Sequence, residues 1–155
     1  MPSFRKILVP TDFSTHSTEA LRVAADLSKA FGAPVQVLAV YQPPVVPLVP
    51  EGALFPLPVD VAADVGRINA RLLEEAKQLT DAGAVDVTSA LRQGSPFAEI
   101  IANAREGDFD LIVMGTHGRT GLKHALLGSV AEKVVRKAPC AVLTVRLPSQ
   151  RFEHP

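Results

Sequence analysis

The chain has 155 residues and a mass of 16.5 kDa, a length that fits a single domain. Apolar residues make up 47% of the chain and charged residues 21%, so it can bury a core of ordinary size, and global disorder is excluded. Its 16 Lys and Arg balance 16 Asp and Glu. Without a net positive charge, nucleic acid is a poor first candidate for a partner.

Cysteine content and the N-terminus bear on the cellular environment. Cys140 is the only cysteine, which excludes an intrachain disulfide and a cysteine-based zinc cluster. The N-terminal apolar run at residues 7–9 is too short for a signal peptide, and the roughly 18 uninterrupted apolar residues of a membrane span are not found. These features predict a soluble, cytoplasmic protein, in which Cys140 is a buried small hydrophobe rather than a redox centre.

Five short apolar runs predict five β-strands, at residues 7–9, 35–40, 85–91, 111–114 and 141–145. Continuous apolar runs are typical of strands that are covered on both faces, as in a parallel sheet with helices on each side. The run at 85–91 alternates instead, as a half-exposed strand does, and its place at an edge or in the interior of the sheet stays open. The predicted fold class is α/β.

Helical periodicity between these runs predicts four helices, in the order βαβαβαβαβ. They cover residues 14–31 with Gly32 as the stop, residues 63–82 before Gly83, a segment starting at Ser95-Pro96, and a segment from Gly128-Ser129 to Ala138-Pro139. The residues expected on the buried faces are Ala20, Leu21, Ala24, Leu27 and Phe31; Val65, Ile68, Leu72, Ala76 and Leu79; Phe97, Ile100, Ile101 and Ala104; and Val130, Val134 and Val135. Glu74, Glu75 and Lys77 are expected on the solvated face of the second helix.

Residues 43–58 contain six of the 13 prolines of the chain. Proline at that density cannot continue a helix or a central strand, so this segment is predicted to be a surface loop with polyproline character. It could be a recognition motif for an aromatic groove. A stiff insertion between a strand and a helix is the preferred interpretation, because surfaces tolerate long loops.

Four of the 10 glycines fall at positions 115, 118, 121 and 128, directly after the predicted strand at 111–114. Ligands of open parallel sheets bind outside the carboxyl ends of the strands, where glycine lets the backbone approach a phosphate and a helix N-terminus offers N–H groups. The segment lacks the G-x-x-x-x-G-K-[ST] of a P-loop, and residues 10–14 lack the glycines of a dinucleotide fingerprint. Neither a P-loop NTPase nor a dinucleotide dehydrogenase is supported.

The spacing Gly115-x2-Gly118-x9-Gly128-Ser129 resembles the nucleotide-binding signature of the universal stress protein family (UspA-like), in its ATP-binding branch. The resemblance extends to residues 6–12, 94–100, 126–130 and 139–143. It implies one domain over residues 1–148, with a variable proline-rich loop at 43–60 and a tail at 149–155. It also implies an open five-stranded parallel sheet of order 3-2-1-4-5 with helices on both faces, Rossmann-like and similar to the adenine nucleotide alpha hydrolases.

The resemblance implies that ATP is bound, with Mg²⁺ held mainly by the phosphates. Adenine and ribose would be surrounded by Pro10, Thr11, Asp12 and Val40. The sugar and phosphates would be lined by Met114, Gly115, Thr116, His117, Gly118, Arg119, Thr120, Gly128, Ser129 and Val130. A carboxylate such as Asp12 suits ribose hydroxyls because it accepts hydrogen bonds, and the guanidinium of Arg119 suits phosphate.

Two of these residues have alternative roles. Asp12 could instead cap the first helix. His117 could ligate a metal together with His124, but neither a carboxylate nor a cysteine lies near them in the sequence. Solvated loop histidines are commoner than such ligands, so a protein-built metal site is not expected.

Three functions are compatible with these residues. The first is a nucleotide-dependent regulatory protein of the stress response, which needs a phosphate cradle and no catalytic base. The second is a slow ATPase or phosphotransferase, which needs a positioned base and a metal. Residues 115–130 contain no carboxylate, so Asp12 and His117 are the only candidate helpers. The third, interaction without a nucleotide, is disfavoured by the intact glycine signature.

The last strand is a candidate interface. The family resemblance suggests a homodimer in which the strand from Ala141 to Arg146 pairs with its copy across a twofold axis. In a sheet of order 3-2-1-4-5 this strand lies at an edge, and residues 141–145 carry neither proline nor charge to discourage pairing.

Overall fold

The computed structural model describes residues 4–44, 60–118 and 127–148 of the chain. Within these ranges the strands are β1 (Ile7–Thr11), β2 (Pro34–Tyr41), β3 (Val85–Gln93), β4 (Leu111–Gly115) and β5 (Ala141–Val145). The helices are α1 (Thr15–Phe31), α2 (Val61–Asp81), α3 (Pro96–Glu106) and α4 (Ser129–Lys137). All neighbouring strands are parallel and follow the order β3-β2-β1-β4-β5, which confirms the predicted Rossmann-like α/β sheet.

The helix ends follow from local chemistry. Ser14 is the N-cap of α1, where its side chain accepts the backbone N–H of Ser17 at 3.3 Å. Gly32 ends the same helix with φ at 64°, a left-handed conformation that costs a residue without a Cβ little. α2 begins two residues earlier than the sequence indicates, because the carboxylate of Asp60 caps it by accepting the N–H of Ala63 at 3.0 Å.

The sheet separates two apolar clusters. One, under α1 and α2, contains Ile7 and Val9 of β1, and the other, under α3 and α4, contains Leu8 of the same strand. Alternate side chains of β1 therefore enter opposite clusters, and all three are fully buried. This explains the continuous apolar run in the sequence. The alternating strand β3 lies at one edge of the sheet and β5 at the other.

Three predicted burial assignments are wrong. Phe31 is 41% exposed, because it is the last residue of α1; its ring packs edge-on with that of Phe4 at a centroid distance of 5.4 Å. Val135 is 48% exposed, because Ala131 and Val134 form the buried stripe of the short helix α4. Glu75 was expected in solvent but is only 9% exposed, between the buried positions Leu72 and Leu79 of α2.

Several other predictions meet the limits of the described residues. Of the proline-rich segment, the structure describes only Pro43 and Pro44, so the choice between its two predicted roles lies outside the described residues.

Cys140 is half-buried beside the α3/α4 cluster, and burial, together with the charge of Asp110, raises the pKa of its thiol. The described helices include none with the length and apolar character that crossing a membrane requires.

Candidate functional site

A cleft of about 660 Å³ opens at the carboxyl ends of the strands. It lies between the neighbouring strands β1 and β4. From β1 the chain goes on to β2 and β3 on one side of the sheet, and from β4 it goes on to β5 on the other side, so the strand order reverses at this point. This is the position at which open α/β sheets bind their ligands, and the volume is in the range of small-molecule sites. The described residues that line the cleft are Pro10, Thr11, Asp12, Phe13, Ser17, Leu38, Ala39, Val40, Gln42, Pro43, Pro44, Ile68, Pro96, Ile100, Met114, Gly115, Thr116, His117, Gly118, Gly128, Ser129, Val130 and Ala131.

Twelve of the predicted site residues are brought together here. They are Pro10, Thr11, Asp12, Val40, Met114, Gly115, Thr116, His117, Gly118, Gly128, Ser129 and Val130. Arg119 and Thr120 lie outside the described residues. The lining also includes residues that sequence reasoning did not select, among them Ser17 of α1, Ile68 of α2 and Ile100 of α3. Helical periodicity assigned the two isoleucines to the core, and the sequence offers no signal that separates a core position from one at the rim of a cleft.

The wall on the α3/α4 side of the cleft is apolar. Its side chains belong to the α3/α4 cluster and extend that cluster to the cleft; they are Leu38, Val40, Ile100, Met114, Val130 and Ala131. An apolar wall of this kind suits a flat, weakly polar group such as a heterocyclic base.

Thr11 and Asp12 line the cleft, and their side chains form hydrogen bonds that brace the β1–α1 loop, residues 12–14. The hydroxyl of Thr11 accepts the N–H of Phe13 at 3.0 Å and donates to the hydroxyl of Ser17 at 3.2 Å. One carboxylate oxygen of Asp12 accepts the N–H of Ser14 at 3.1 Å. These bonds hold Phe13 at φ 64°, a conformation uncommon for a residue with a Cβ.

These contacts exclude one of the two roles considered for Asp12. The helix cap is Ser14, so the alternative in which Asp12 caps the first helix is wrong. Asp12 instead fixes the N-cap residue through its backbone N–H and lines the cleft.

The signature glycines allow close approaches between segments of the protein. A Cβ on Gly115 would lie 2.8 Å from the Cβ of His16, and a Cβ on Gly118 would lie 2.8 Å from Oδ2 of Asp12. Gly128 donates its N–H to the carbonyl oxygen of Thr116 at 2.6 Å, and a Cβ there would lie 3.2 Å from the same oxygen. A side chain on Gly115 would therefore require the backbone of α1 to shift, one on Gly118 would displace the Asp12 carboxylate, and one on Gly128 would press on the backbone of Thr116.

Two histidines meet beside the cleft. The rings of His16 and His117 have centroids 5.4 Å apart and are tilted by 51°, and Nδ1 of His117 lies 3.1 Å from the hydroxyl oxygen of Thr116. His124 is outside the described residues. Among the residues that are described, no group of three or more His, Cys, Asp or Glu side chains could hold a metal ion.

Helix α2 acts on the end of β1 and on the β1–α1 loop at two points that the sequence does not indicate. The guanidinium of Arg71 lies 4.2 Å from the ring centroid of Phe13 and donates to its carbonyl oxygen at 3.5 Å. One helical turn later, the buried carboxyl of Glu75 is close enough for the hydroxyl of Thr11 to act on it by hydrogen bonding.

Burial dominates the electrostatics of Glu75. Removal from water raises the pKa of its carboxyl, and the charges of Asp12 and Glu74 act in the same direction. Hydrogen bonding from Thr11 and the charge of Arg71 oppose the rise in pKa without cancelling it. Oε2 of Glu75 is buried and has no hydrogen-bond partner among the described residues. A signal for this burial is present in the sequence, since Glu75 stands three residues after Leu72 and four before Leu79.

The sequence is similar to those of known proteins. Residues 3–146 match the model of the universal stress protein family. The chain is 37% identical over 149 residues to universal stress protein MJ0531 of Methanocaldococcus jannaschii, covering 95% of this chain and 85% of the relative.

Solved structures show the same fold. The universal stress protein UspA of Lactobacillus plantarum superposes with a TM-score of 0.78 at 22% identity, over 94% of this chain and 100% of that chain. A universal stress protein crystallised in complex with cAMP superposes with a TM-score of 0.71 at 26% identity, over 94% of this chain and 98% of that chain.

Proposed function

The chain belongs to the universal stress protein family, and from this premise we propose that it binds an adenine nucleotide, ATP, in the cleft between β1 and β4. The observation that carries the proposal is the convergence of the signature glycines and the β1–α1 loop on one cleft at the reversal point of the sheet. A family relative of similar fold was crystallised with cAMP, which supports an adenine nucleotide as the ligand class.

The base and the ribose would occupy the side of the cleft next to β1 and β2. The apolar wall around Val40 and Ile100 would cover the faces of the adenine ring, whose burial is favourable because it is largely apolar. Asp12, which lines the cleft beside Thr11, would accept hydrogen bonds from the ribose hydroxyls.

The phosphates would lie towards Gly118 and the start of α4. Gly128, the N-cap of α4, and residues 129–131 of its first turn line the cleft, so the positive end of the helix dipole would act on the phosphates. The hydroxyl of Ser129 lies at the same place, and Arg119 would neutralise phosphate charge. Since the described residues include no cluster of carboxylates or histidines that could hold a metal, Mg²⁺ would arrive with the nucleotide, held mainly by its phosphates.

We propose a regulatory function in the stress response rather than efficient catalysis. Hydrolysis would need a side chain that orients water at the terminal phosphate. Of the two candidates, Asp12 already has one oxygen engaged by the N–H of Ser14, and Nδ1 of His117 contacts Thr116. A slow ATPase that uses the same site is the alternative, and it is supported by the position of both side chains at the cleft.

The ligand is tested by isothermal titration calorimetry of protein freed of nucleotide by unfolding and refolding. We expect ATP to bind at one site per chain and cAMP to compete for that site. GTP at the same concentrations is the control for the base. Titrations in which neither ATP nor cAMP binds would overturn the proposed function.

The oligomeric state is a second proposal, a homodimer through the edge strand β5. Leu143, at the centre of this strand, is 38% exposed, and an uncovered apolar edge favours pairing with a second copy. We expect a dimer in light scattering at micromolar concentration. Leu143→Pro should shift it towards monomer or reduce solubility, because proline removes an N–H from the strand. A native monomer would contradict the proposed dimer, and a folded dimer of Leu143→Pro would place the interface elsewhere.

A further inference from the structure

Glu75 is a buried carboxyl that the proposed nucleotide site does not use directly. It is 9% exposed and packs between Leu72 and Leu79 in the layer beneath α1 and α2. A carboxyl in such a place costs free energy relative to an apolar side chain unless its oxygens are paired or it carries a proton. Oε2 has no hydrogen-bond partner among the described residues. A negative charge on this oxygen would be buried without a hydrogen bond, so burial favours the protonated carboxyl.

Glu75 is linked to the cleft through Thr11, which lines the cleft and whose hydroxyl lowers the pKa of the Glu75 carboxyl by hydrogen bonding. The hydroxyl of Thr11 has one proton to donate and lone pairs that accept. It accepts the N–H of Phe13 and donates its proton to Ser17, and both of these residues line the cleft. An ionised Glu75 would compete with Ser17 for this proton, whereas a protonated Glu75 leaves the bond to Ser17 in place and can itself donate to Thr11. The protonation of Glu75 therefore bears on the hydrogen bonds that brace the β1–α1 loop.

The charges around Glu75 come from three elements. Arg71 and Glu74 lie on its own helix and Asp12 lies on the β1–α1 loop. Arg22 of α1 lines the small cavity between α1 and α2 that Glu75 also lines. The sheet contributes apolar side chains to the same cluster, among them Val37 and Ala39 of β2 and Val87 and Leu91 of β3. Negative charge on the Asp12 side and burial together raise the pKa of Glu75, and the rise is opposed by Thr11 and Arg71. Phosphates near Gly118, whose added Cβ would lie 2.8 Å from Oδ2 of Asp12, would add negative charge on the same side.

We propose that Glu75 takes up a proton when an adenine nucleotide binds in the cleft, so that affinity for the nucleotide depends on pH. This inference rests on the proposed function. Binding linked to one proton changes the dissociation constant by up to about tenfold per pH unit. By reciprocity, the nucleotide favours the protonated carboxyl by the same factor as protonation favours the nucleotide. Glu75 is thus a positioning residue, which acts on the site through Thr11 and through its charge.

The test uses calorimetric titration of the full chain with cAMP from about pH 5 to about pH 8, a range in which the phosphodiester keeps a single negative charge. The variants are Glu75→Gln, which mimics the protonated carboxyl, and Glu74→Gln, which removes the same charge from the exposed neighbouring position. We expect the wild-type protein to bind cAMP about threefold or more tightly at the low end of the range than at the high end. Glu74→Gln should retain this dependence.

Glu75→Gln should bind cAMP with an affinity that is nearly independent of pH and close to that of the wild-type protein at low pH. In the wild-type protein itself, the ¹³C resonance of the Glu75 carboxyl should titrate at higher pH when cAMP is bound, a readout that needs no variant to fold. Wild-type binding without pH dependence, or the same dependence in Glu75→Gln, would overturn this inference and leave the proposed function standing. The absence of any binding of cAMP or ATP would overturn both.

Discussion

The two faces of the sheet differ in what they bury next to the cleft. On the α3/α4 face the apolar cluster runs without a buried charged group from Leu8 to the wall at Ile100. On the α1/α2 face polar groups are buried among apolar ones beneath the β1–α1 loop, including Thr11, Ser17 and Glu75. The comparison suggests a division of work, in which one face supplies shape for the base and the other supplies hydrogen bonds and charge for the rest of the ligand.

The largest expected effect is on the apolar face. Leu38 is fully buried in the α3/α4 cluster and lines the cleft. Leu38→Ala should lower the free energy of unfolding by about 2 to 5 kcal/mol, because it removes buried apolar surface and leaves a cavity. Urea denaturation measures this loss. Leu73→Ala is the matched control, since Leu73 is 65% exposed, and it should change stability by less than about 0.5 kcal/mol. Equal losses would contradict the assignment of this core.

The next largest expected effect is on the affinity for ATP, at the signature glycines Gly118 and Gly128, which lie in the cleft between the two faces. Gly118→Val should weaken ATP binding by about tenfold or more, about 1.4 kcal/mol. The first atom of the new side chain would lie 2.8 Å from Oδ2 of Asp12 and force that carboxylate from its place in the cleft. Gly128→Val should also weaken binding, through contacts with the backbone of Thr116 and His117.

The control for the glycine variants is Gly66→Val on α2, where a Cβ would meet no atom within 4 Å. Its affinity for ATP in calorimetry should equal that of the wild-type protein. Unchanged affinity in both signature variants would remove the cleft from consideration as the nucleotide site.

A smaller effect belongs to the polar face and concerns stability against pH. The pKa of Glu75 in the folded protein is raised above its ordinary value of 4.5, first by burial. Its contribution to stability is therefore fully present below that ordinary value and is lost as the pH rises through the folded-state pKa. Since glutamine does not titrate, Glu75→Gln should become more stable relative to the wild-type protein as the pH rises through the folded-state pKa of Glu75.

Urea denaturation of both proteins without nucleotide, at several pH values from about 4 to about 8, measures this difference. Glu74→Gln provides the comparison, because its side chain is exposed and its stability should follow that of the wild-type protein. A stability difference between Glu75→Gln and the wild-type protein that does not change with pH would show that the carboxyl is not destabilised by burial.

The smallest expected effect is on turnover. Asp12 and His117 are the only carboxylate and histidine among the described residues that line the cleft, and with so few groups able to act as a base, phosphate release should be far below the enzyme median of about 10 per second. Asp12→Asn and His117→Ala should leave this low rate nearly unchanged. A rapid rate that either substitution abolishes would mean that the polar face performs catalysis as well as binding.

The sequence predicts the apolar face better than the polar face, for physical reasons. Continuous apolar runs such as residues 111–114 and the glycine spacing are local patterns that predict the strands and the end of the sheet at which the cleft opens. The strand order is implied by the family resemblance and not by these patterns. The burial of Glu75 depends on packing between α1 and α2, and its charge suggested a solvated position although Leu72 and Leu79 share its stripe. Spacing along the helix outweighed charge.

Other features depend on contacts that are distant in sequence. Arg71 meets Phe13 across 58 residues, and no local pattern at either position indicates this contact. The contact of Gly115 with His16 shows that one glycine of the signature serves helix packing, which the spacing alone does not separate from ligand binding. Sequence patterns thus locate the site, whereas the contacts that brace it require the structure.

The central claim, that the cleft between β1 and β4 holds an adenine nucleotide, is tested most directly by identifying what the purified protein carries. Protein purified without added nucleotide is denatured by heat, and the released small molecules are identified and quantified by mass spectrometry, alongside Gly118→Val prepared in the same way. We expect ATP or another adenine nucleotide from the wild-type protein and clearly less from the variant. Release of a different class of molecule, or equal amounts of nucleotide from both proteins, would contradict the claim.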